Sequence, residues 1–157
     1  MILGQEFFVT SVDTRQNKKE PGAVLPLGLF GVIAPQKAFD QLRDDMRALV
    51  HQLPQEERAS IASYLRSGAM VFAIMESTRD MLDDAFRVAG GSAVLTDGTY
   101  YWRLDAAEYV ERYGVGLPGD FLSHGRRLHW LIPRTDPEEV LRVDRFLSEH
   151  GRRLRSP

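Results

Sequence analysis

The chain has 157 residues, no cysteine and a formal net charge of −2 at pH 7. This length fits one domain and buries enough surface to fold without disulfides or metals. The lack of cysteine excludes thiolate catalysis, cysteine-ligated zinc and iron–sulfur clusters. No secretory signal pattern opens the chain, and no apolar run is long enough to span a bilayer. The sequence therefore predicts a single cytoplasmic domain, residues 1–157, that contacts no membrane.

The charge is distributed unevenly along the chain. Residues 76–120 carry 9 acidic and 4 basic side chains, whereas residues 121–157 carry 5 acidic and 8 basic ones. An acidic middle argues against nucleic acid as the main partner and favours a basic protein partner. A solvated surface on which charges happen to be unevenly distributed explains the same counts of acidic and basic side chains. Both interpretations therefore stay open.

The first third of the chain predicts extended structure followed by two helices. Residues 4–14 alternate apolar and polar side chains like a strand, and Pro26 restricts residues 23–35 to an edge strand or extended loop. Apolar side chains then recur at helical spacing over residues 39–53. A second helix follows to about Arg66, so the two helices predict an αα-hairpin.

The middle of the chain predicts a strand and a β-hairpin. The continuous apolar run over residues 69–75 is typical of a buried strand, and residues 76–84 predict a polar loop or a short helical turn. An Asp97-Gly98 pair lies between β-prone residues in the segment 93–102. Such a pair is the strongest local hairpin signal in a sequence.

A capped helix is predicted directly after this hairpin. Asp105 suits the N-cap position and Glu108 lies three residues later, which is the spacing of a capping box. Leu104 and Tyr109 are spaced as a hydrophobic staple, and Gly114 suits the helix end. If Asp105 is only a cap, Asp105→Ser is expected to retain both fold and function.

The last part of the chain predicts a strand and a final helix. Residues 126–134 alternate enough to predict a strand, and residues 117–121 predict a turn or short helix. A helix is predicted from Asp136 as N-cap to a stop at Gly151. The predicted fold class is therefore α+β, with a small, mostly antiparallel sheet packed by the N-terminal αα-hairpin and the C-terminal helix.

The sequence has no pattern that identifies a catalytic or metal site. The histidines lack acidic ligands at helical spacing, and no nucleophile elbow or phosphate-binding loop occurs. We therefore predict no catalytic residue, no metal and no cofactor. Asp97, Asp105 and Glu108 have local explanations, as a turn residue and a capping pair.

Three consecutive aromatic residues, Tyr100, Tyr101 and Trp102, are candidates for an interface. In a strand the outer two share one face and Tyr101 points to the other. Either one face exposes a large aromatic ring, which is typical of interfaces, or helices cover both faces. Base stacking on these rings is disfavoured because the surrounding charge is negative.

The segment from Ile61 to Gly125 resembles a family of small bacterial proteins to which no reaction is assigned. The residues that carry the resemblance are Tyr64, Leu65, Ser67, Gly68, Asp80, Thr96, Asp97, Gly98, Trp102, Asp105, Tyr109, Val110, Tyr113, Leu117, Pro118 and Phe121. The family often has Trp-Pro where this chain has Trp102-Arg103, so the entry to the following helix is expected to differ.

Such proteins are similar in size and character to the immunity proteins encoded beside polymorphic or contact-delivered bacterial toxins. The resemblance implies that the chain binds a cognate toxin, which has a basic surface, and occludes the toxin's active site. The residues expected to face the toxin are Glu76, Asp80, Asp83, Asp84, Asp97, Tyr100, Tyr101, Trp102, Glu108 and Glu111. The alternatives are a small enzyme using Asp80, Asp97 or Asp105, and a homo-oligomeric module that dimerises through the helix at 39–53 or the last helix.

Overall fold

The computed structural model describes residues 23–31 and 39–153, with side chains through residue 149. The predicted strand at residues 4–14 lies outside the described residues. The strands are β1 (Leu25–Pro26), β2 (Ala69–Phe72), β3 (Ser77–Arg79), β4 (Arg87–Ala89), β5 (Val94–Thr96) and β6 (Tyr100–Arg103). The α-helices are α1 (Phe39–Ala48), α2 (Gln55–Arg66), α3 (Ala106–Tyr113), α4 (Gly119–Arg127) and α5 (Pro137–Arg153), and a 3₁₀ helix spans Gly28–Gly31. The α+β class is therefore confirmed.

In the described part of the chain, four strands form the main sheet in the order β1, β6, β5, β2. β1 runs parallel to β6, whereas β6 pairs with β5, and β5 with β2, in antiparallel fashion. Pro26 lies in a terminal strand of this sheet, as predicted from its missing N–H. Strands β3 and β4 form a separate two-stranded antiparallel sheet.

The predicted hairpin is present as β5 and β6, and its turn is Asp97-Gly98. Leu95 lies opposite Trp102, and Gly98 has a φ of +91°, which favours glycine. The three aromatic residues alternate between the sheet faces as predicted. Tyr100 and Trp102 belong to one apolar cluster, and Tyr101 belongs to another.

Helices cover both faces of the main sheet. On the first face, Trp102 packs in a cluster with residues of α2, α3 and α4, including Tyr64 and Phe121. On the second face, Tyr101 packs with Val143 and Leu147 of α5. The exposed-aromatic interpretation is therefore wrong, because all three rings are buried.

The first helix is shorter than its apolar pattern predicts. It ends at Ala48, and the backbone N–H groups of His51 and Leu53 donate to the carbonyls of Tyr113 and Gly114 at the end of α3. These long-range bonds replace the helical ones, and His51 has a φ of +64°. Both helices of the predicted αα-hairpin exist, and the most extensive helix–helix contact among the described elements joins α2 to α3.

The segment at residues 69–84 differs from its prediction. β2 spans only Ala69–Phe72 and lies at an end of the sheet, so the prediction of a buried strand is wrong. Met70 is 50% exposed. The segment predicted as a polar loop contains strand β3. Its partner strand β4 supplies backbone hydrogen bonds that the local sequence of β3 does not predict.

The strand predicted at residues 126–134 is also wrong. Helix α4 continues to Arg127, and the chain then turns through His129 and Trp130, whose φ values are +53° and +54°. The Trp130 ring packs against Tyr64 and Phe121 in the core. Burial of this ring selects the turn over the strand that alternation alone favours.

The last helix begins where its sequence predicts. The Glu139 N–H donates to the Asp136 carboxylate at 3.0 Å, which confirms Asp136 as the cap. The helix continues past the predicted stop at Gly151 to Arg153. Among the described residues, no helix has the length and apolar character needed to cross a membrane.

Asp136→Ala should lower the free energy of unfolding by about 1 kcal/mol, because the first turn of α5 loses its cap. Asp136→Ser should retain most of that stability. Urea denaturation measures both, with Asp144→Ala on the same helix as the control. Equal losses for Asp136→Ala and Asp144→Ala would contradict the capping role.

Candidate functional site

The Asp97 carboxylate is a buried group that joins three elements of the described fold. Its Oδ1 accepts from the backbone N–H groups of Thr99 and Tyr100 at 2.9 and 2.7 Å. Its Oδ2 accepts from the Tyr64 hydroxyl at 2.6 Å and lies 2.9 Å from His124 Nε2. The carboxylate therefore holds the hairpin turn, α2 and α4 together.

Asp97 and His124 form a hydrogen-bonded dyad, with a carboxylate oxygen 2.9 Å from the imidazole Nε2. The Asp97 side chain is fully buried, whereas that of His124 is 17% exposed. The His124 ring packs beside Tyr100 and Phe121, with centroids 5.3 and 6.4 Å away. Burial, together with the Asp97 carboxylate, raises the pKa of Tyr64, so this tyrosine stays a hydrogen-bond donor.

Asp80 forms a second buried cluster in the loop between β3 and β4. It accepts from the N–H groups of Leu82 and Ala85 at 2.9 and 3.1 Å, and from the Tyr113 hydroxyl. The neighbouring Tyr109 hydroxyl accepts from the Met81 N–H at 3.0 Å. These bonds fix the loop against α3.

Asp105 begins α3, as predicted, but its side chain makes no cap bond. The carboxylate instead pairs with both Nε and Nη2 of Arg103, at 3.1 and 2.7 Å. Glu108 does not complete a capping box, since its carboxylate bonds to Arg66 and Arg112. The capping-box prediction is therefore wrong, because Arg103 holds the Asp105 carboxylate in an ion pair.

Burial raises the pKa of Asp105, although Arg103 and the Thr78 hydroxyl both oppose that shift. Asp105→Ser leaves the Arg103 guanidinium, whose side chain is only 16% exposed, without its counter-ion. Breaking such a buried pair is strongly destabilising. The expectation that serine is tolerated at this position is replaced by an expected loss of stability.

The three buried carboxylates do not form one acid/base set. Among the described residues, Asp80, Asp97 and Asp105 have separate hydrogen-bond partners. Each carboxylate is bonded within its own turn or loop and to at least one distant element. Of the ten residues predicted to face a toxin, these contacts bury Asp80 and Asp97, and sheet packing buries the aromatic Tyr100, Tyr101 and Trp102.

The remaining predicted residues lie at or near the surface, and most are paired with arginine. Glu76 accepts from the Ser92 hydroxyl. Asp84 lies 3.1 Å from Arg79, and Asp83 lies 3.9 Å from Arg47. The acidic middle of the sequence is thus interleaved with arginines on the surface, some of them from outside residues 76–120.

Glu108 and Glu111 contribute to what we name the charged face, formed by Arg66, Phe86, Glu108, Glu111 and Arg112. Arg66 Nη2 lies 3.0 Å from Glu108 and 2.5 Å from Glu111. Arg112 bonds to Glu108 at 2.8 Å and lies over the Phe86 ring, 5.1 Å from its centroid. The face therefore presents side chains that neighbouring groups already hold in position.

Sequence reasoning missed Arg66, Arg112 and His124 as members of these clusters. The four-residue spacing of Glu108 and Arg112 is a helical ion-pair signal that was available. Arg66 and His124 carry no such signal, because their partners lie 42 and 27 residues away in the chain.

An apolar groove of about 330 Å³ lies between the 3₁₀ helix and the linker from α3 to α4. Leu27, Phe30, Leu49 and Leu117 contribute to its lining, with Gln52 as a polar member. The described residues contain no group of three or more histidine, aspartate or glutamate side chains placed to hold a metal ion. None of the protein-family models, curated proteins or solved structures compared with the chain matches it.

Tyr64→Phe should lower the free energy of unfolding by about 1–3 kcal/mol, because the buried Asp97 carboxylate loses a donor. Tyr101→Phe on the opposite sheet face is the matched control and should cost less, since none of the described residues forms a hydrogen bond with the Tyr101 hydroxyl. Urea denaturation compares the two variants. Indistinguishable losses would contradict the role assigned to the Tyr64–Asp97 bond.

Asp80 should contribute to loss of stability in acid. Burial tends to raise its pKa, but donation by Tyr113 and by the loop N–H groups outweighs burial and lowers it. The stabilisation is therefore complete above the unfolded-state pKa of about 3.9 and is lost as the pH falls through the lowered folded-state pKa. Asp105 acts in the opposite direction, because its folded-state pKa is raised.

Asp80→Asn should make the free energy of unfolding fall less steeply than in the wild type between about pH 5 and pH 2. Urea denaturation at a series of pH values measures both slopes. Parallel curves for the two proteins would show that Asp80 is not among the groups that link stability to protons.

Proposed function

We propose that this chain is an immunity-type protein that acts in the bacterial cytoplasm and binds a cognate toxin, occluding the toxin's active site. The observation that carries the proposal is the charged face, a preformed array of two arginines, two glutamates and an aromatic ring on α2, α3 and the β3–β4 loop. A surface whose side chains are already ordered has less conformational entropy to lose on binding.

The residues that carry the family resemblance support a division between scaffold and surface. Inside the domain the Tyr64 hydroxyl donates to Asp97 and the Tyr113 hydroxyl donates to Asp80. Trp102 donates to the Leu65 carbonyl at 2.9 Å. Gly68 lies under the Trp102 ring, where a Cβ would come within 2.7 Å. The residues that carry the resemblance therefore maintain the fold. A surface that acts only by binding does not depend on which reaction the toxin catalyses.

The charged face fits a protein partner better than a nucleic acid. Its arginines are matched by carboxylates, so it has no excess positive charge to neutralise phosphates. Arginine is typical of interface hot spots, and the buried Phe86 ring supports Arg112 from beneath. A toxin with basic groups can pair with Glu108 and Glu111, and its carboxylates can pair with Arg66 and Arg112.

A second candidate function is a small enzyme, favoured by the Asp97–His124 dyad alone. In that case a partly exposed His124 serves as general base on a substrate. Binding and catalysis differ in what they need from this histidine. A folded His124→Gln variant still protects cells if immunity depends on binding, and fails to protect them if it depends on proton transfer.

The test is co-expression with the protein encoded by the neighbouring open reading frame, followed by growth measurement and co-purification. If that neighbour is toxic alone, this chain should restore growth and co-purify with it. Glu111→Lys should weaken the complex at least tenfold, because the charge reversal repels basic toxin groups and disrupts the Arg66 pairing. Exposed ion pairs add little stability, so the variant should fold normally.

Glu138→Lys on α5 is the matched control, since Glu138 is exposed and lies on an element outside the charged face. It should bind the toxin like the wild type. Equal effects of Glu111→Lys and Glu138→Lys would show that toxin binding lies elsewhere. A harmless neighbour that forms no complex would contradict the immunity function.

A further inference from the structure

The four charged side chains of the charged face form one chain of contacts. Arg112 Nε donates to Oε2 of Glu108 at 2.8 Å, and the other Glu108 oxygen lies 3.0 Å from Arg66 Nη2. The same Arg66 nitrogen lies 2.5 Å from Glu111 Oε2. The order is therefore Arg112, Glu108, Arg66, Glu111, with charges that alternate in sign. Within the described residues, the two inner groups each form two of these ion pairs, whereas Arg112 and Glu111 each form one.

The Arg112 guanidinium is held on two sides and open on a third. Its Nε donates to Glu108, one helical turn earlier on α3, and its Cζ lies 5.1 Å from the centroid of the buried Phe86 ring. The side chain is 49% exposed, and its terminal nitrogens Nη1 and Nη2 donate to no group among the described residues. An arginine that lies over an aromatic ring still has donors free in its own plane. Arg112 therefore presents two ordered donors to a partner.

We propose that Nη1 and Nη2 of Arg112 donate together to one carboxylate of the toxin, the side chain of an aspartate or glutamate. This inference rests on the proposed function, since it names the toxin group that the charged face recognises. Two parallel N–H donors of a guanidinium match the two oxygens of a carboxylate, and the ammonium group of lysine does not. The toxin carboxylate gives Arg112 a second ion pair, as Glu111 does for Arg66 within the chain.

The order of Arg112 before binding favours it as the anchor of the contact. Exposed ion pairs of this kind add little to the stability of a fold. Because Glu108 and Phe86 already hold Arg112, less side-chain entropy is lost when a toxin carboxylate binds. Arg66 is less suited to this role, since two carboxylates of the chain already compensate its charge. Arg112 thus determines which toxins fit, because a toxin without the matching carboxylate leaves its terminal nitrogens unpaired.

Calorimetric titration of the purified toxin with the full chain measures the contribution of Arg112. Arg112→Lys keeps the positive charge and loses the paired donors, so toxin binding should weaken about tenfold. Arg145→Lys is the matched control, since Arg145 is exposed on α5 and lies outside the charged face. This variant should bind like the wild type, and both variants should unfold at the same urea concentration as the wild type. Equal affinities of Arg112→Lys and the wild type for the toxin would overturn the inference.

A double-mutant cycle identifies the toxin carboxylate. Each aspartate and glutamate of the toxin is replaced in turn by its amide, and each toxin variant is titrated with the wild-type chain and with Arg112→Gln. For one toxin residue, the two changes together should weaken binding no more than one change alone, because both remove the same contact. Arg145→Gln combined with that toxin variant should give additive effects. Additive effects of Arg112→Gln with every toxin carboxylate would also overturn the inference.

These outcomes separate the Arg112 contact from the proposed function. If the wild-type chain binds the toxin and Glu111→Lys weakens the complex while Arg112→Lys does not, the charged face remains the toxin site and the Arg112 contact is overturned. If the wild-type chain binds no toxin, the proposed function and the Arg112 contact are both overturned.

Discussion

The Asp97 carboxylate is the constraint on which the rest of the described fold depends. Its two oxygens accept four hydrogen bonds, two from the turn between β5 and β6, one from Tyr64 of α2 and one from His124 of α4. Because the group is fully buried, removing one of these donors leaves a buried acceptor short of a partner in a medium of low polarity. The hairpin, α2 and α4 are thus held in one arrangement, and the aromatic cluster around Trp102 fills the space between them.

This arrangement explains why acidic residues in one stretch of sequence have different roles. Asp80, Asp97 and Asp105 are buried and bonded within the fold, whereas Glu108 and Glu111 lie on α3 and bond to arginines near solvent. A count of charge along the chain does not distinguish these groups. Once the buried carboxylates and the paired arginines are taken into account, the acidic middle becomes a mixed surface. Toxin recognition there would depend on individual pairs more than on a broad negative field.

Local signals in the sequence predicted local structure well. The Asp97-Gly98 turn, the alternation of Tyr100, Tyr101 and Trp102, and the Asp136 cap all depend on neighbours within a few residues. The predictions were wrong where contacts with residues distant in the sequence determine the local conformation. Backbone bonds to the end of α3 shorten α1, Arg103 draws the Asp105 side chain away from its cap, and burial of Trp130 replaces a predicted strand with a turn. Only part of the charged face could be predicted from the sequence. Arg112 follows Glu108 by one helical turn, whereas Arg66 comes from a different helix, far away in the chain.

The central claim is that the interior maintains the fold and the surface neutralises a toxin by binding it. Titration of the purified toxin with this chain, followed by the toxin's own activity, tests that claim most directly. The account predicts a sharp end point at a fixed ratio of the two proteins, with activity restored when the complex is dissociated. Complete and lasting inactivation of the toxin by much less than the binding ratio of this chain would contradict the account. One molecule of the chain would then inactivate many toxin molecules, as an enzyme does.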